Sequence, residues 1–358
     1  MVELKDLCKK ASSNIAQKDL DGHTGEYPIY GASGLIGYVD FYKQEKPYIA
    51  VVKDGAGIGR VMSLPAKSSV IGTMQYILPN DDVDAQYLSF AMENMNLAKY
   101  FSGATIPHIY FKDYCTEKLP KHSEKEQKQI SAVLSKVTEL ISLRKKQLAK
   151  LDELVKARFV EMFGDPVKNT MDWEIKPLSE LGELNRGVSK ARPRNSPELL
   201  GGPYPLIQTG EVANAKTYIT SFNSTYSEKG LAQSKMWPKG TLCITIAANI
   251  AQTSILTFDA CFPDSVVGFI SRNMTNELFI HYWFSFFQKI LDEQAPQVAQ
   301  KNINLKILSE LNVIVPPLSL QNRFAAFVEH VDQQKQTVQQ SLEKLELMKK
   351  ALMQEYFG

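Results

Sequence analysis

The chain has 358 residues, 44% of them hydrophobic and 22% charged, a composition typical of an ordinary soluble protein of two or three domains. Its formal net charge of +2 excludes a strongly basic nucleic-acid binder, so any basic surface must be local. The scattered cysteines (Cys8, Cys115, Cys243 and Cys261) form no CxxC pair, which excludes a zinc ribbon and a disulfide scaffold. Because the amino terminus lacks the apolar core of a signal peptide and no apolar stretch approaches the roughly 18 residues of a membrane span, we expect a cytoplasmic protein.

Residues 1–119 predict a mixed, strand-rich domain. Runs of β-branched residues bounded by glycine and proline, typical of strands, occupy 47–52 and 69–78. An apolar helical stretch follows at 85–100, and a polar loop at 102–114. The glycine-rich residues 55–59 resemble a dinucleotide-binding loop, but no helical pattern follows them, so they predict a hairpin turn.

Residues 127–164 predict one long amphipathic helix with apolar residues in steps of three and four, the spacing of a coiled-coil seam. Arg144 and Arg158 interrupt this seam. Ser123, with Glu126 three residues later, predicts a capping box at the start, and Gly164 predicts the end. The predicted seam residues are Leu134, Val137, Ile141, Leu148, Leu151, Val155 and Met162.

Residues 167–315 predict a second strand-rich domain. Strand-like runs lie at 241–247 and 265–271, an apolar helical stretch at 276–291, and a polar loop at 293–306. The order of these predicted elements is the same as in residues 1–119, although the two amino-acid sequences are only weakly similar. Two related domains that recognise different targets would have this pattern.

Residues 321–358 repeat the first helix. They align without a gap to 127–164, at an offset of 194, with 11 of 38 positions identical. An internal repeat of this kind indicates two copies of one module, a globular domain followed by a helix. Lys335 and Lys349 interrupt the second seam, which contains Val328, Val331, Val338, Leu342, Leu345, Leu352 and Tyr356.

The matched length and phase of the helices favour their packing against each other. At 1.5 Å per residue each is a rod of up to roughly 57 Å, too long to bury its apolar stripe alone. The domain between them must return the chain, which favours an antiparallel arrangement. The alternative is that each helix packs on its own globular domain.

These patterns together predict an α+β fold with a pseudo-two-fold repeat. Its segments would be two mixed α/β domains at 1–119 and 167–315, each followed by a helical segment, at 120–166 and 316–358. The two helices would form an antiparallel coiled coil.

Catalytic motifs are missing from the sequence. It has no P-loop, no HExxH motif and no Asn-Pro-Pro-aromatic motif of the amino-methylating DNA methyltransferases. The histidines show no metal-binding spacing, and Asp264 has no convincing partner for a nuclease site. We therefore expect neither a catalytic site nor a metal.

Basic and amide side chains cluster in loops of both halves. Arginine and lysine suit phosphates and guanine, whereas asparagine and glutamine suit adenine edges. Any one of them fits a solvated loop, but two sets in two similar modules favour DNA binding. The set of the first half is Lys53, Arg60, Thr105, His108, Tyr110 and Lys112, and the set of the second half is Arg186, Lys190, Arg192 and Arg194 together with Gln297, Gln300, Lys301 and Asn302.

The whole chain resembles the specificity subunit of type I restriction–modification enzymes. The sequence MFGDP leaves the first helix, and the two-module layout is that of the family. YPIYGASGLIGYVD (27–40) and KDGAGIGRV (53–61) resemble one version of its target-recognition domain. YPLIQTGEV (204–212), LCITIAANIAQT (242–253) and DACFPDSVVGF (259–269) resemble another.

This resemblance implies a non-catalytic subunit that binds double-stranded DNA. Each domain would read half of a bipartite, asymmetric site, while the helices hold the domains apart and dock two modification (methyltransferase) subunits. A restriction subunit could join, and S-adenosylmethionine (AdoMet) would bind the methyltransferase, with no cofactor in this chain. The family's recognition loops would correspond to residues 104–112 and 297–302. The expected DNA-binding residues are Lys53, Arg60, Thr105, His108, Tyr110, Lys112, Arg192, Arg194, Gln208, Thr209, Gln297, Lys301 and Asn302.

Two other functions stay open at this point. A DNA methyltransferase or nuclease with its own target-recognition region would bind AdoMet or a metal as an isolated chain. A coiled-coil adaptor would not bind DNA in a gel-shift salt titration.

Overall fold

The computed structural model describes residues 1–55, 57–102, 107–247, 250–286 and 303–358. They divide into a first unit, Met1–Gln147 with Val338–Gly358, and a second unit, Leu148–Thr337. Each unit combines one globular domain with one end of each of two long helices. No helix in this part of the chain is long and apolar enough to cross a membrane.

The first unit contains the first domain, the first long helix up to Gln147, and the end of the second long helix. Short 3-10 turns lie at Leu4–Asp6, Gln17–Leu20 and Leu97–Tyr100. The strands are β1 (Val2–Glu3), β2 (Cys8–Ser12), β3 (Tyr27–Gly31), β4 (Gly34–Val39), β5 (Tyr48–Val52), β6 (Val61–Leu64), β7 (Ser69–Val70), β8 (Met74–Pro79) and β9 (Lys118–Leu119). The helices are α1 (Ala85–Asn94), α2 (Phe111–Tyr114) and the first long helix, α3 (Glu124–Phe163).

Two sheets form the core of the first domain. One has the order β2-β8-β5-β6 with antiparallel pairs, and the other has the order β4-β3-β7, in which β3 and β7 are parallel. Strand β5 is buried along its whole length, because Ile49 and Val51 pack with α1 residues while Tyr48, Ala50 and Val52 face a second cluster. A strand that is buried on both faces has a continuous run of apolar residues in its sequence, and β5 has such a run.

The predicted hairpin at residues 55–59 is confirmed, because β5 and β6 pair antiparallel on either side of it. The strand-like run at 69–78 is divided between two strands. Residues 69–70 form β7 and pair with β3, whereas β8 pairs with β2 and β5 in the other sheet. A turn closed by the Met74 N–H and the Ile71 carbonyl (3.0 Å) separates them.

The second unit contains the second domain and the remaining part of each long helix. The strands are β10 (Glu174–Pro177), β11 (Gly182–Arg186), β12 (Leu200–Leu206), β13 (Tyr218–Ile219), β14 (Ser224–Tyr226), β15 (Met236–Trp237), β16 (Leu242–Thr245), β17 (Thr253–Leu256), β18 (Ala260–Cys261), β19 (Val266–Ser271) and β20 (Asn312–Val315). The helices are α4 (Leu178–Leu181), α5 (Thr209–Asn214), α6 (Glu228–Ala232), α7 (Glu277–Phe284), α8 (Leu305–Glu310) and the second long helix, α9 (Leu318–Phe357), with a 3-10 turn at Pro197–Leu199.

The second domain repeats the topology of the first. Its sheet β11-β19-β16-β17-β13 corresponds to β2-β8-β5-β6 with one more strand at the edge. Its sheet β14-β12-β18-β15 corresponds to β4-β3-β7, again with a parallel pair, here β12 and β18. Helix α7 follows β19 as α1 follows β8, and β10 pairs with β20 as β1 pairs with β9. The repeat therefore extends from the helices to the domains.

Local signals set the ends of the first long helix. The Ser123 N–H donates to the Glu126 carboxylate (2.8 Å), and the Glu126 N–H donates to the Ser123 hydroxyl (3.4 Å), which confirms the predicted capping box. At the other end Gly164 has a φ of +75° and donates its N–H to the Val160 carbonyl. Glycine takes this left-handed conformation without steric cost, so it ends the helix.

In each unit the two long helices pack antiparallel. In the first unit the Arg144 Nε donates to the Ser341 hydroxyl (3.1 Å), and Lys145 pairs with Glu346 (2.8 Å). In the second unit Lys335 pairs with Asp152 (2.8 Å). Residues late in one helix thus lie beside residues early in the other, as predicted.

Each helix also packs on globular domains, so the alternative arrangement occurs together with the pairing. In the first unit Ile130 and Phe357 share a core with α1. In the second unit the Phe159 ring lies 5.5 Å from that of Phe279 in α7 and 5.4 Å from that of Phe324 in the second long helix.

The predicted seam residues are buried to different degrees. Leu134, Val137, Val155, Val328, Val331, Val338 and Leu342 are buried, whereas Ile141, Leu148, Leu151, Met162, Leu345, Leu352 and Tyr356 are partly exposed. Near the carboxyl ends the fully buried positions are instead Phe159 and Phe163 in the first helix and Met353 and Phe357 in the second. The carboxyl end of each long helix packs on a globular domain as well as on the other helix, so its buried positions differ from those of the predicted seam.

Candidate nucleic-acid interface

In the first domain several loops meet at the end of the parallel strands β3 and β7. Ala32, which directly follows β3, accepts a hydrogen bond at its carbonyl from the Arg60 side chain (Nη1 to O, 2.6 Å). The carbonyl of Thr73, after β7, accepts from the backbone N–H groups of Lys53 and Asp54 at 3.0 and 3.3 Å. The fold therefore brings Lys53 and Arg60 to one end of the domain.

Asp54 is the centre of a basic group that we call the Asp54 cluster, made of Lys53, Asp54, His108, Tyr110 and Lys112. The Asp54 carboxylate lies 2.6 Å from the His108 Nδ1 and 3.1 Å from the Lys53 Nζ. The backbones of Asp54 and His108 also form an antiparallel bridge. An ionised carboxylate only accepts, so this contact assigns the proton to the His108 Nδ1, and Nε2 has no hydrogen-bond partner among the described residues.

Tyr110 and Lys112 extend the Asp54 cluster. The Tyr110 ring stacks beside the His108 imidazole with centroids 6.4 Å apart, and the Lys112 Nζ lies 5.5 Å from the Tyr110 ring centroid. Tyr110 is 51% exposed, so a large aromatic surface lies beside a lysine and a histidine. Such a surface suits the phosphates and bases of a nucleic acid.

In the second domain three arginines converge on Asp264, and we call this group the Asp264 cluster. The Arg194 Nη2 lies 2.7 and 2.9 Å from the two carboxylate oxygens, and the Arg192 Nη2 lies 3.9 Å from one of them. The Arg186 Nε donates to the Asp264 backbone carbonyl (2.8 Å). Arg192 also donates to the carbonyls of Ser189 and Ala191, which hold its guanidinium in place.

Gln208 and Thr209 lie at the same end of the second domain as Asp264. Strands β12 and β18 are parallel, with Leu206 opposite Cys261, and the Ile207 N–H donates to the Cys261 carbonyl. Gln208 follows β12 and Asp264 follows β18, so both lie beyond the same end of this pair. Gln208 is exposed, and its N–H donates to the Glu211 carboxylate at the start of α5.

The two clusters occupy equivalent ends of the repeated topology. In the first domain the Lys53 N–H donates to the Thr73 carbonyl, and in the second the Ile246 N–H donates to the Ser265 carbonyl, each at 3.0 Å. Both bonds join the end of a central strand to the residue that precedes the next strand. One end of each domain thus carries basic side chains, but different ones.

The structure places together most of the predicted residues of the first domain, namely Lys53, Arg60, His108, Tyr110 and Lys112. In the second domain it joins Arg192 and Arg194 to Arg186. Thr105, Gln297, Lys301 and Asn302 lie outside the described residues.

Sequence reasoning missed the central carboxylates. No motif in the sequence points to Asp54, and the sequence around Asp264 suggests only a nuclease residue, whereas the neighbours of Asp264 in space are arginines.

The sequence contains one signal that locates this interface, namely the extension of the internal repeat. The offset of 194 that relates the long helices continues upstream, so that Ile109 and Lys112 correspond to Ile303 and Lys306. Ile109 and Ile303 are both buried, at 1% and 5% exposure, before the short helices α2 and α8. This register aligns the loop that carries His108 with the polar loop of the second half.

Two of the cysteine thiols are buried, and burial makes them unreactive. Burial raises the pKa of the Cys8 thiol to about 12, which keeps it protonated and unreactive near neutral pH. Burial also raises the pKa of the Cys243 thiol. Within the described ranges no group of histidine, cysteine, aspartate or glutamate side chains is arranged to hold a metal ion.

Two related domains with basic clusters at equivalent ends, and a pair of long antiparallel helices, have the architecture of a modular DNA-recognition protein. The family described as the type I restriction modification DNA specificity domain matches residues 1–153 and 170–347. The chain therefore belongs to this family, whose members are non-catalytic DNA-recognition subunits.

Individual relatives agree with this assignment. A protein of Methanocaldococcus jannaschii, named as the candidate specificity subunit of the type I restriction enzyme MjaX, is 22% identical over 392 residues, covering 98% of this chain and 91% of the relative. The crystal structure of the type I restriction–modification S subunit from M. genitalium has a TM-score of 0.66 at 16% identity, with 99% and 95% of the two chains covered. A chain from a study of complex assembly and conformational transition in the type I system has a TM-score of 0.56 at 15% identity, with 99% and 96% covered. The structural likeness shows that the fold is shared.

Proposed function

We propose that this chain gives a type I restriction–modification enzyme its sequence specificity by reading a bipartite, asymmetric site on double-stranded DNA, one half with each domain. The observation that carries the proposal is the presence of two different basic clusters at equivalent ends of one repeated fold. A repeated fold gives both readers the same geometry, and different side chains give them different target bases. An asymmetric site follows from this difference.

Charge supports binding through local surfaces. The net charge is only +2, so the lysines and arginines of the two clusters must supply most of the attraction to phosphates. The histidine and the glutamine at these ends are the groups suited to base edges. We assign Lys53, Arg60, Lys112, Arg192 and Arg194 to the first role and His108 and Gln208 to the second.

The long helices provide the spacing and the docking surface. Their outer faces carry exposed apolar residues, namely Val133, Leu143, Leu154, Val160, Leu347 and Met348. We assign these faces to two methyltransferase subunits, which bind AdoMet and carry out methylation. A restriction subunit joins the same assembly, and the complex acts on DNA in the cytoplasm.

The test is methylation by the reconstituted complex. The chain is mixed with its cognate modification subunit, AdoMet and genomic DNA, and the products are sequenced for adenine N6 methylation. The expected result is one bipartite motif that is absent when the chain is omitted. Turnover of AdoMet by the chain alone, or the same motif without the chain, would overturn the proposal.

Variants of two basic side chains of the first domain test whether that domain is needed for recognition. A complex with Lys53→Ala and Arg60→Ala in the first domain should lose methylation while its helices still bind the modification subunit. The matched control is Lys46→Ala with Lys121→Ala, which removes two exposed lysines of the first unit that pair with Asp81 and Asp82, away from the loops of Lys53 and Arg60. The control should keep wild-type methylation.

A further inference from the structure

Each proposed reading surface has a carboxylate at its centre, where a site for a polyanion would be expected to carry only positive charge. In the first domain the Asp54 side chain is 26% exposed and contacts His108 and Lys53. In the second domain the Asp264 side chain is 37% exposed and contacts Arg194 and Arg192. The same arrangement occurs at equivalent ends of both domains.

A carboxylate in this place has two physical effects. It fixes long basic side chains in one orientation, so less conformational entropy is lost when they bind a target. It also cancels part of their positive charge, and this charge is what attracts DNA of any sequence. The first effect increases discrimination between sequences, and the second lowers non-specific affinity.

The geometry shows which groups are fixed. Both carboxylate oxygens of Asp264 lie within 3 Å of one Arg194 nitrogen, Nη2, and the Nη1 and Nε groups at the other edges of the guanidinium have no hydrogen-bond partner among the described residues, so they can donate to a second acceptor. Asp54 bonds the Nδ1 of His108 at 2.6 Å and thereby sets which ring nitrogen meets a base.

We propose that Asp54 and Asp264 are positioning residues of the two half-site readers, which orient the neighbouring basic side chains and restrain their attraction to non-cognate DNA. This inference depends on the proposed function, since it concerns how the same surfaces discriminate. Both carboxylates act through the basic groups they hold.

The experiment measures the binding of the complete complex of this chain with its modification subunits to two probes. One probe is a duplex with the methylated motif, and the other has a single half-site scrambled; both are titrated at several salt concentrations. Asp264→Asn should lower the affinity ratio of the two probes about tenfold when the half-site of the second domain is scrambled. It should also steepen the salt dependence on scrambled DNA by up to about one unit of slope. Asp54→Asn should do the same for the other half-site.

Matched controls remove one negative charge elsewhere in the same domain. Asp81→Asn breaks the exposed Lys46–Asp81 pair (2.9 Å), and Glu198→Gln breaks the exposed Lys229–Glu198 pair (3.0 Å). Both should keep the wild-type affinity ratio. Asn variants that discriminate as well as these controls would overturn the inference.

Glutamate variants separate orientation from charge and also serve if an Asn variant fails to fold. Asp54→Glu and Asp264→Glu keep the charge but displace it by one methylene group. They should lower the affinity ratio without changing the salt slope, and a wild-type ratio would overturn the positioning role. A wild-type complex that binds both probes equally would overturn the proposed function itself, which distinguishes the two failures.

Discussion

Gln127 and Gln321, 194 positions apart, make the same side-chain hydrogen bonds to the backbone in the two units. Each is buried, and each accepts at Oε1 from the backbone N–H of a helix-capping residue, Asp84 (2.9 Å) or Asn276 (3.3 Å). Asp84 caps α1, and Asn276 caps α7. Each Nε2 donates to two backbone carbonyls, those of Asp82 and His122 in one unit and of Met274 and Pro316 in the other. The glutamine thus joins the start of each long helix to the helix of its domain.

Replacement of either glutamine by alanine should destabilise its unit. Gln127→Ala leaves three partly buried backbone groups without their partner, which should lower the free energy of unfolding by about 1–3 kcal/mol. Thermal unfolding followed by circular dichroism would measure the loss. Gln129→Ala, an exposed position two residues later, is the control. Equal melting temperatures for both variants would contradict the structural role.

Phe159 should be among the most sensitive positions of the second unit. Its ring lies within 5.5 Å of the rings of Phe163, Phe279, Phe286 and Phe324, so it packs against both long helices and α7. Phe159→Ala removes this packing and should cost about 3–5 kcal/mol. Chemical denaturation would measure the change, with the 40% exposed Val160→Ala as control. A cost below about 1 kcal/mol would mean that the aromatic cluster is not formed in solution.

The stability of the second unit should fall in mild acid because of His281. Burial, aided by nearby Lys335, lowers the pKa of His281 to about 4, whereas an unfolded histidine titrates near 6.5. The unfolded chain therefore binds the extra proton first, and stability is lost as the pH falls from about 6.5 to about 4, by up to about 3 kcal/mol.

Unfolding curves at a series of pH values would isolate this effect. His281→Asn keeps a hydrogen-bonding group near Thr253, the partner of the His281 Nδ1, and should flatten the pH dependence between 6.5 and 4. His330→Asn, at an exposed position on the second long helix, should leave the dependence as in the wild type. A wild-type slope in His281→Asn would show that other groups cause the acid sensitivity.

Lysines of the Asp54 cluster should contribute to DNA affinity without setting the sequence. Lys112→Ala should weaken binding to all duplexes alike and reduce the salt slope by about one, because one phosphate contact is lost. Filter binding of the complex at several salt concentrations would show this. The comparison is with Lys46→Ala, an exposed lysine of the first domain outside the cluster. If affinity and slope are unchanged in Lys112→Ala, this face of the domain does not contact phosphates.

Features encoded by local patterns were predictable from the sequence. The repeat, the helix periodicity, the Ser123–Glu126 capping box and the hairpin after β5 depend on residues close together in the chain. The split of residues 69–78 between two sheets was not predictable, because strand pairing is set by partners far away in sequence. The role of Asp264 was missed for the same reason, since Arg194 is 70 positions away.

The burial of Met353 and Phe357 instead of Leu352 and Tyr356 was also beyond sequence reasoning. A heptad seam describes a helix that faces one partner, whereas this end of the second long helix shares a core with α1 and β-strand residues of the first domain. Because the helix end packs on this domain as well as on the other long helix, its buried positions are shifted by one residue from the heptad seam.

The central claim is that two half-site readers are held at a fixed spacing by the paired helices. The most direct measurement inserts seven residues in each helix, between Gln147 and Leu148 and between Thr337 and Val338, where the two units divide. Seven residues keep the heptad phase and lengthen each helix by about 10 Å, which corresponds to roughly three base pairs at about 3.4 Å each. Methylome sequencing should then find the same two half-sites separated by a spacer about three base pairs longer, with affinity reduced by the altered rotation of one domain. An unchanged spacer, or a change in the half-site bases themselves, would contradict the account.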